Sequence, residues 1–346
     1  MFHKTDKFLT IGFSICLLFL FSCNQGGRNQ TDRVSGPDSL KNVLQALNAD
    51  IDKNPSNPGL FHTRSLFFLH ENHFDNALKD INKAISLDPG NANYYITLSD
   101  IYLIQGQTTN CNEALVKAIS VDQKNNDAVV KMAKLYLIIK DYPRMFDYVK
   151  RALALNAVNP KAYYFRSIAL LEKGDTSLAV NDLMKAVDQD QQFYEAYIQL
   201  GELFSIRKNP MAADYLKNAL ALQPQSREAL YMLGMFYQET QQYDKAIAAY
   251  QRLQKTDTSF RNAPYNIGYI NLVYLKNFPL AIRYFTEAIR KDPAYFEAYF
   301  NRGFAEELMG DYQKSYEDYK KTLKIKINFE KAIEGLNRLD KLNIKQ

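Results

Sequence analysis

Three histidines are the only residues whose grouping suggests metal chemistry. His62, His70 and His73 lie close together, with Glu71 between the last two. A zinc hydrolase helix needs histidines four apart with an intervening glutamate as base. His70 and His73 are three apart, so the group reads as a surface cluster. Thiol chemistry is as thin. Of three cysteines, Cys16 sits in an apolar leader, Cys23 directly follows it, and Cys111 is left as the free thiol of the body. No internal disulfide framework can form. The sequence holds no phosphate-binding loop and no nucleophile motif, and its carboxylates are scattered. We expect no catalytic site, no cofactor and no metal.

The bulk composition agrees with a folded body. Of 346 residues, 47% are hydrophobic and 23% charged, which is ordinary for a globular chain. Tyrosine (24) and phenylalanine (21) are plentiful and tryptophan is absent. The formal charge is +5 with both signs interspersed, so no basic stripe argues for nucleic acid.

Residues 1–22 begin basic, with His3, Lys4 and Lys7, and continue apolar from Phe8 to Phe21. That run is shorter than the roughly 20 residues needed to span a bilayer and has the pattern of a signal peptide. Its end, Leu20-Phe21-Ser22-Cys23, resembles the lipobox of bacterial lipoproteins. The resemblance implies cleavage before Cys23 and a lipid on its thiol. Residues 23–38 are rich in Asn, Gln, Gly, Arg and Ser and read as a flexible tether. Asn24 after the cysteine implies, by the same resemblance, transport to the outer membrane, and no acidic cluster follows Cys23 to direct surface export, so the body is expected in the periplasm; the resemblance is to outer-membrane lipoproteins of Bacteroidetes.

The body repeats. One column reads Ala84, Ala118, Ala152, Ala186, Ala219, Leu253, Ala288, Thr322, at steps of 33 to 35 residues. A second is small: Ser65, Ser99, Ala133, Ser167, Gly201, Gly234, Gly268, Gly303. A third reads Ala77, Cys111, Met145, Ala179, Ala212, Ala246, Ala281, Ser315, which makes Cys111 a core residue. Pro89, Pro224 and Pro293 share a fourth. The segments Leu60 to Pro89 and Tyr299 to Ile325 resemble tetratricopeptide repeats. The resemblance covers residues 58–327 as eight repeats. It implies an all-α, right-handed superhelical solenoid of helix-turn-helix units, each burying its apolar face against the next. Residues 39–55 then form an N-terminal capping helix. Residues 328–346 form a closing helix and tail, apolar at Ile333, Leu336 and Leu339. Repeat five is one residue short near Asn209-Pro210. Repeat seven is one residue long near Asn277-Phe278-Pro279 and carries Pro264 where an aromatic is usual.

Three repeats pair an arginine with an aspartate sixteen residues on: Arg64 with Asp80, Arg166 with Asp182, Arg302 with Asp318. The other five carry Leu98, Met132, Leu200, Leu233 or Ile267 at the first slot and Ala or Tyr at the second. Arginine appears only with aspartate, which predicts a partly buried bridge between the two helices of a repeat.

In the resembled family the first helices line a concave groove. The slots one and five residues after the leading aromatic then face a ligand. Here they include Tyr164, Tyr231, Met235, Tyr265, Tyr269, Phe300 and Phe304, concentrated in the last three repeats. A large exposed apolar patch would mark a binding site. We expect a scaffold that binds a peptide or helix of an envelope protein there, with no enzymatic activity. The alternative is a glycan- or nutrient-binding lipoprotein using the same rings.

Overall fold

The computed structural model describes residues 37–342, all of whose regular structure is helical. The leader, Cys23 and the tether as far as residue 36 lie outside the described residues, as do residues 343–346. Backbone packing divides the chain between Asp175 and Thr176 into two units. The first holds α1 (Pro37–Lys53), α2 (Pro58–His70), α3 (Phe74–Leu87), α4 (Ala92–Ile104), α5 (Thr108–Val121), α6 (Asn126–Ile138), α7 (Tyr142–Leu155) and α8 (Pro160–Glu172). The second holds α9 (Thr176–Gln189), α10 (Tyr194–Ile206), α11 (Met211–Leu222), α12 (Arg227–Glu239), α13 (Tyr243–Thr256), α14 (Asn262–Tyr269), α15 (Phe278–Lys291), α16 (Phe296–Met309), α17 (Tyr312–Ile325) and α18 (Glu330–Lys341). Expected and observed ends differ slightly: α1 starts at Pro37 rather than residue 39.

Each first helix stops the same way. One residue takes a left-handed backbone: Asn72, Gly106, Lys140, Gly174, Lys208, Gln241, Lys276 and Gly310. The next N–H then reaches back over the helix end. His73 N donates to Phe68 O at 2.8 Å, Gln107 N to Tyr102 O at 2.8 Å, and Asp311 N to Glu306 O at 3.0 Å. This is the Schellman closure, which satisfies carbonyls the helix leaves open. Glycine adopts it freely, whereas a residue with a Cβ is strained by about 1–2 kcal/mol. We expect Lys140→Gly, Lys208→Gly and Gln241→Gly each to stabilise by about 0.5–1 kcal/mol, since glycine's greater unfolded freedom offsets part of the relief. Urea unfolding of the triple variant measures it, and an unchanged midpoint would refute it.

The irregular repeats depart where the backbone can absorb them. The extra residue of repeat seven enters a π-helical turn at Ile270–Tyr274, upstream of the expected Asn277–Pro279. There Leu275 N donates to Ile270 O at 3.1 Å, and Asn277 N to Asn271 O at 2.8 Å. Pro264 lies in the first turn of α14, where its missing N–H would have had no partner within the helix. The short repeat five has a 12-residue second helix, α11, against 14 in α3, α5 and α7.

Between the helices of a pair, slot sizes are matched. Ser65, Ser99 and Ala133 stand a fixed spacing before the buried aliphatics Ile81, Leu115 and Val149. Gly201 faces Leu216, while Gly234 and Gly268 face the larger Tyr250 and Phe285. A Cβ on Gly234 would sit 2.5 Å from the Tyr250 ring, and one on Gly268 would sit 2.9 Å from the Phe285 ring. Both rings are fully buried and cannot retreat.

Arg64 grips Asp80 with two hydrogen bonds, Nε to Oδ2 at 2.6 Å and Nη2 to Oδ1 at 2.8 Å. Arg302 grips Asp318 likewise, at 2.7 and 2.8 Å. In both cases the third donor reaches the helix before the pair: Nη1 donates to Asn48 Oδ1 at 2.7 Å and to Thr286 Oγ1 at 3.0 Å. Burial pushes the Asp318 carboxyl up, and Arg302 pulls it back only in part. Arg166, in the first unit, lies 5.4 Å from the centre of the Tyr163 ring. Asp182 is buried in α9 of the second unit.

The closing helix turns Leu339 and Leu336 inward as expected, but not Ile333. Ala332, Gly335 and Leu339 are buried, while Ile333 is exposed. The reason is close approach: Gly335 lies where any Cβ would meet the Tyr319 ring at 2.5 Å. Helical spacing from that contact carries Ile333 outward. Arg338 then fastens α18 by two 2.8 Å hydrogen bonds to Glu307, which also accepts from Tyr319 Oη at 2.6 Å.

Candidate protein-interaction surface

Six of the seven predicted contact residues belong to the second unit. Tyr231 and Met235 stand four apart on α12, Tyr265 and Tyr269 on α14, Phe300 and Phe304 on α16, so each pair shares a helix face. All six are half-buried, so the stripe is less open than the expected exposed patch. The cause is ring packing. Tyr231 meets Phe260 edge-on at 5.4 Å, Tyr265 meets Tyr295 at 4.9 Å, and Phe300 meets Phe329 edge-on at 5.2 Å. Phe300 and Phe304 lie parallel at 6.4 Å, and Asn301 Nδ2 donates to Tyr265 Oη at 2.9 Å. Tyr164, in the first unit, is half-buried and meets Phe165 edge-on at 5.9 Å.

The partner rings Phe260, Tyr295 and Phe329 escaped the sequence reading, although the signal was there. They occupy one column at the entrance to each first helix. In the first unit that column is Asn57, Asn91, Asn125 and Asn159. Each asparagine caps its helix, accepting from Gly59 N (3.0 Å), Asn93 N (3.0 Å), Ala128 N (3.1 Å) and Ala162 N (3.0 Å). Such a cap contributes about 0.5–2 kcal/mol. In the second unit Tyr295 and Phe329 stand at the cap of α16 and α18 and make no capping bond. Capping has been exchanged there for ring contact with Tyr265 and Phe300. The exchange packs Tyr265 and Phe300 against rings at the entrance to the next repeat.

Polar groups mark the equivalent slots elsewhere. In the first unit Lys131 Nζ pairs with Asp100 at 2.8 and 3.0 Å. Burial opposes the Lys131 charge, but Asp100 and Asp127 outweigh it and hold the ammonium above its ordinary value. Burial pushes Lys134 down to about 8, aided by Lys131. In the second unit burial pushes the Glu202 carboxyl up, and it accepts from Gln199 Nε2 at 3.3 Å. Glu228 is raised by burial and then by Glu202.

The residues first weighed for chemistry are placed as follows. His62 Nε2 is 2.8 Å from Thr97 Oγ1, and burial lowers its pKa, which favours the neutral ring. His70 Nδ1 lies 2.7 Å from Glu71, out in solvent. Cys111 is buried, which pushes its thiol up to about 12 and denies it thiolate reactivity. Among the described residues no group of three or more His, Cys, Asp and Glu side chains is arranged to hold a metal.

Models of the tetratricopeptide repeat match residues 59–91, 92–125, 160–193, 211–263 and 270–327, together more than half of the chain. The chain is a tetratricopeptide-repeat protein. Proteins of this family are generally non-catalytic scaffolds, and the repeat fold implies a protein-interaction scaffold. No curated protein matches it in sequence. Solved structures similar to it include the C-terminal part of a tetratricopeptide-repeat protein from Cytophaga hutchinsonii, 18% identical over 80% of this chain and 99% of that one, TM-score 0.49. Another is pilF of Pseudomonas aeruginosa, 20% identical over 64% of this chain and 97% of that one, TM-score 0.49. A third is MamA, 24% identical over 54% and 97%, TM-score 0.45.

Proposed function

We propose that this repeat protein is a lipid-anchored adaptor of the bacterial outer membrane. Cys23 carries the lipid, the segment behind it acts as tether, and the repeats face the periplasm. The aromatic face of α12, α14 and α16 receives an extended peptide or a helix of an envelope protein. One observation carries the docking reading: on three successive first helices one ring of each pair, Tyr231, Tyr265 and Phe300, packs against a ring that stands where the first unit keeps its helix caps. Pre-arranged aromatics lose little freedom on binding and dominate interface energetics. The anchoring reading is supported by Leu20-Phe21-Ser22-Cys23 alone.

Photoreactive residues at Tyr269 and Phe304 in intact cells test the surface. Discrete crosslinks to envelope proteins are expected. Their absence, with glycan retained by the pure protein, would move the assignment to the sugar-binding alternative. Tyr295→Asn restores the cap of the first unit while removing a ring. It should lower crosslinking at least tenfold and leave the helical signal intact. Palmitate labelling should disappear in Cys23→Ala; labelling that persists would sink the anchor.

A further inference from the structure

Charge is unevenly divided among the helices of the second unit. Its first helices, α10, α12, α14 and α16, carry seven glutamates against two arginines, with no lysine and no aspartate. Both arginines are engaged elsewhere: Arg227 pairs with Asp257 at 3.1 Å, and Arg302 grips Asp318. Four of the glutamates follow the helix face that carries the rings. Glu228 stands three residues before Tyr231 and seven before Met235 on α12. Glu297 stands three before Phe300 and seven before Phe304 on α16. Helical spacing puts each triplet on one face. On α10, Glu195 and Glu202 hold the first and third places of the same triplet.

Among the described residues no lysine, arginine or histidine pairs with any of these four. Glu228 is exposed and the other three are half-buried, and none of their oxygens is shut away without a partner. Glu202 accepts a single hydrogen bond, from Gln199 Nε2 at 3.3 Å. Burial pushes the Glu228 carboxyl up, and Glu202 on the neighbouring α10 pushes it further.

These carboxylates select the charge of whatever covers the face. A partner with apolar side chains alone would strip water from them and leave them unpaired, which is costly. An acidic partner would add like-charge repulsion. A basic partner gains from the rings and the carboxylates together. Arginine suits the place better than lysine, because its fork can donate to two carboxylates at once and its plane packs on an aromatic ring. Tyr231 offers that ring one helical turn from Glu228.

We propose that the aromatic face takes a cationic segment of its partner, with an arginine donating to Glu202 and Glu228 beside the Tyr231 ring and apolar side chains meeting Tyr269 and Phe304. The proposal rests on the docking reading above and adds the charge of the occupant. Glu195 and Glu297 spread the same sign along the face, which turns acidic segments away.

The test pans a phage-displayed library of random dodecapeptides against the full-length chain. Enrichment of peptides that set an arginine among aliphatic or aromatic residues is expected. The leading peptide is then synthesised and its binding followed by fluorescence anisotropy. Replacing its arginine with citrulline, which keeps the shape and removes the charge, should weaken binding about tenfold or more. Glu202→Gln with Glu228→Gln should weaken it as much while the urea midpoint does not fall, so loss of binding is not loss of fold. The arginine and citrulline peptides should bind that double variant alike. Enriched peptides without a basic residue would overturn the proposal; if they lose affinity in Tyr269→Ala, docking at the aromatic face still stands. Arginine peptides that bind the double variant as tightly as the parent would overturn it as well. A lysine form that binds as tightly as the arginine form would overturn the assignment to a guanidinium. No enriched peptide at all would overturn both this proposal and the docking reading.

Discussion

Asp318→Ala should destabilise the protein by about 3–5 kcal/mol, because it leaves the Arg302 guanidinium in a partly buried site without its counter-charge. Arg302 is tied to Asp318 by two hydrogen bonds, and only 20% of its side chain is exposed. The thermodynamic worth of the intact pair is a different quantity. Desolvation of Asp318 already works against the bridge, and paired charges replaced together by apolar groups often cost nothing. The chain contains the replacement: Leu98 with Ala114, and Leu233 with Ala249, fill the same two slots. Arg302→Leu with Asp318→Ala should therefore lie within about 1 kcal/mol of the parent. Urea unfolding of the two variants decides it. A double variant as unstable as Asp318→Ala alone would mean that the bridge, and not relief of an orphaned charge, supports the fold. The Thr286 bond is lost as well, so any residue of instability in the double variant measures that third contact.

Phe285→Ala should cost about 3–5 kcal/mol, the largest effect expected of a single apolar truncation here. Phe285 is fully buried, and its ring lies over Gly268, where a Cβ would meet it at 2.9 Å. Gly268→Ala alone should destabilise by about 1–3 kcal/mol through overpacking, set against the gain in helix propensity. Combined, the two changes should destabilise by at least 1 kcal/mol less than their sum, since the methyl enters the space the ring has left. Strict additivity would show that the two positions do not share one volume.

The fold was legible because its information is periodic. Three small-residue columns recur in step with the helices, and the bridges of Arg64 and Arg302 could be read from the covariation of two slots within one chain. What escaped was information that sits in backbone geometry or in a broken column. Lys140, Lys208 and Lys276 give no hint of a left-handed conformation; only their position opposite Gly106, Gly174 and Gly310 does. The extra residue of repeat seven is expected near Asn277–Pro279, whereas Asn271, able to bond its own helix, permits the wide turn upstream. On α18 the expectation for Leu336 and Leu339 holds, but the tight fit at Gly335 turns Ile333 outward. The aromatic face was read from single rings. Its exposure was overestimated because their partners, Phe260, Tyr295 and Phe329, lie in the next repeat and a cap position rarely holds a ring.

The matched slots between paired helices bear on how such a chain can change. Gly268 with Phe285 and Arg302 with Asp318 both join a first helix to the second helix just after it. Duplication or exchange of a segment that begins at one first helix and ends before the next carries both members together. A crossover in the left-handed turn between them would set an alanine or serine beneath a tyrosine, or strand an arginine. The helical hairpin is therefore the smallest piece of this protein that recombination can copy without breaking these internal fits, and the turn is the place where it cannot cut.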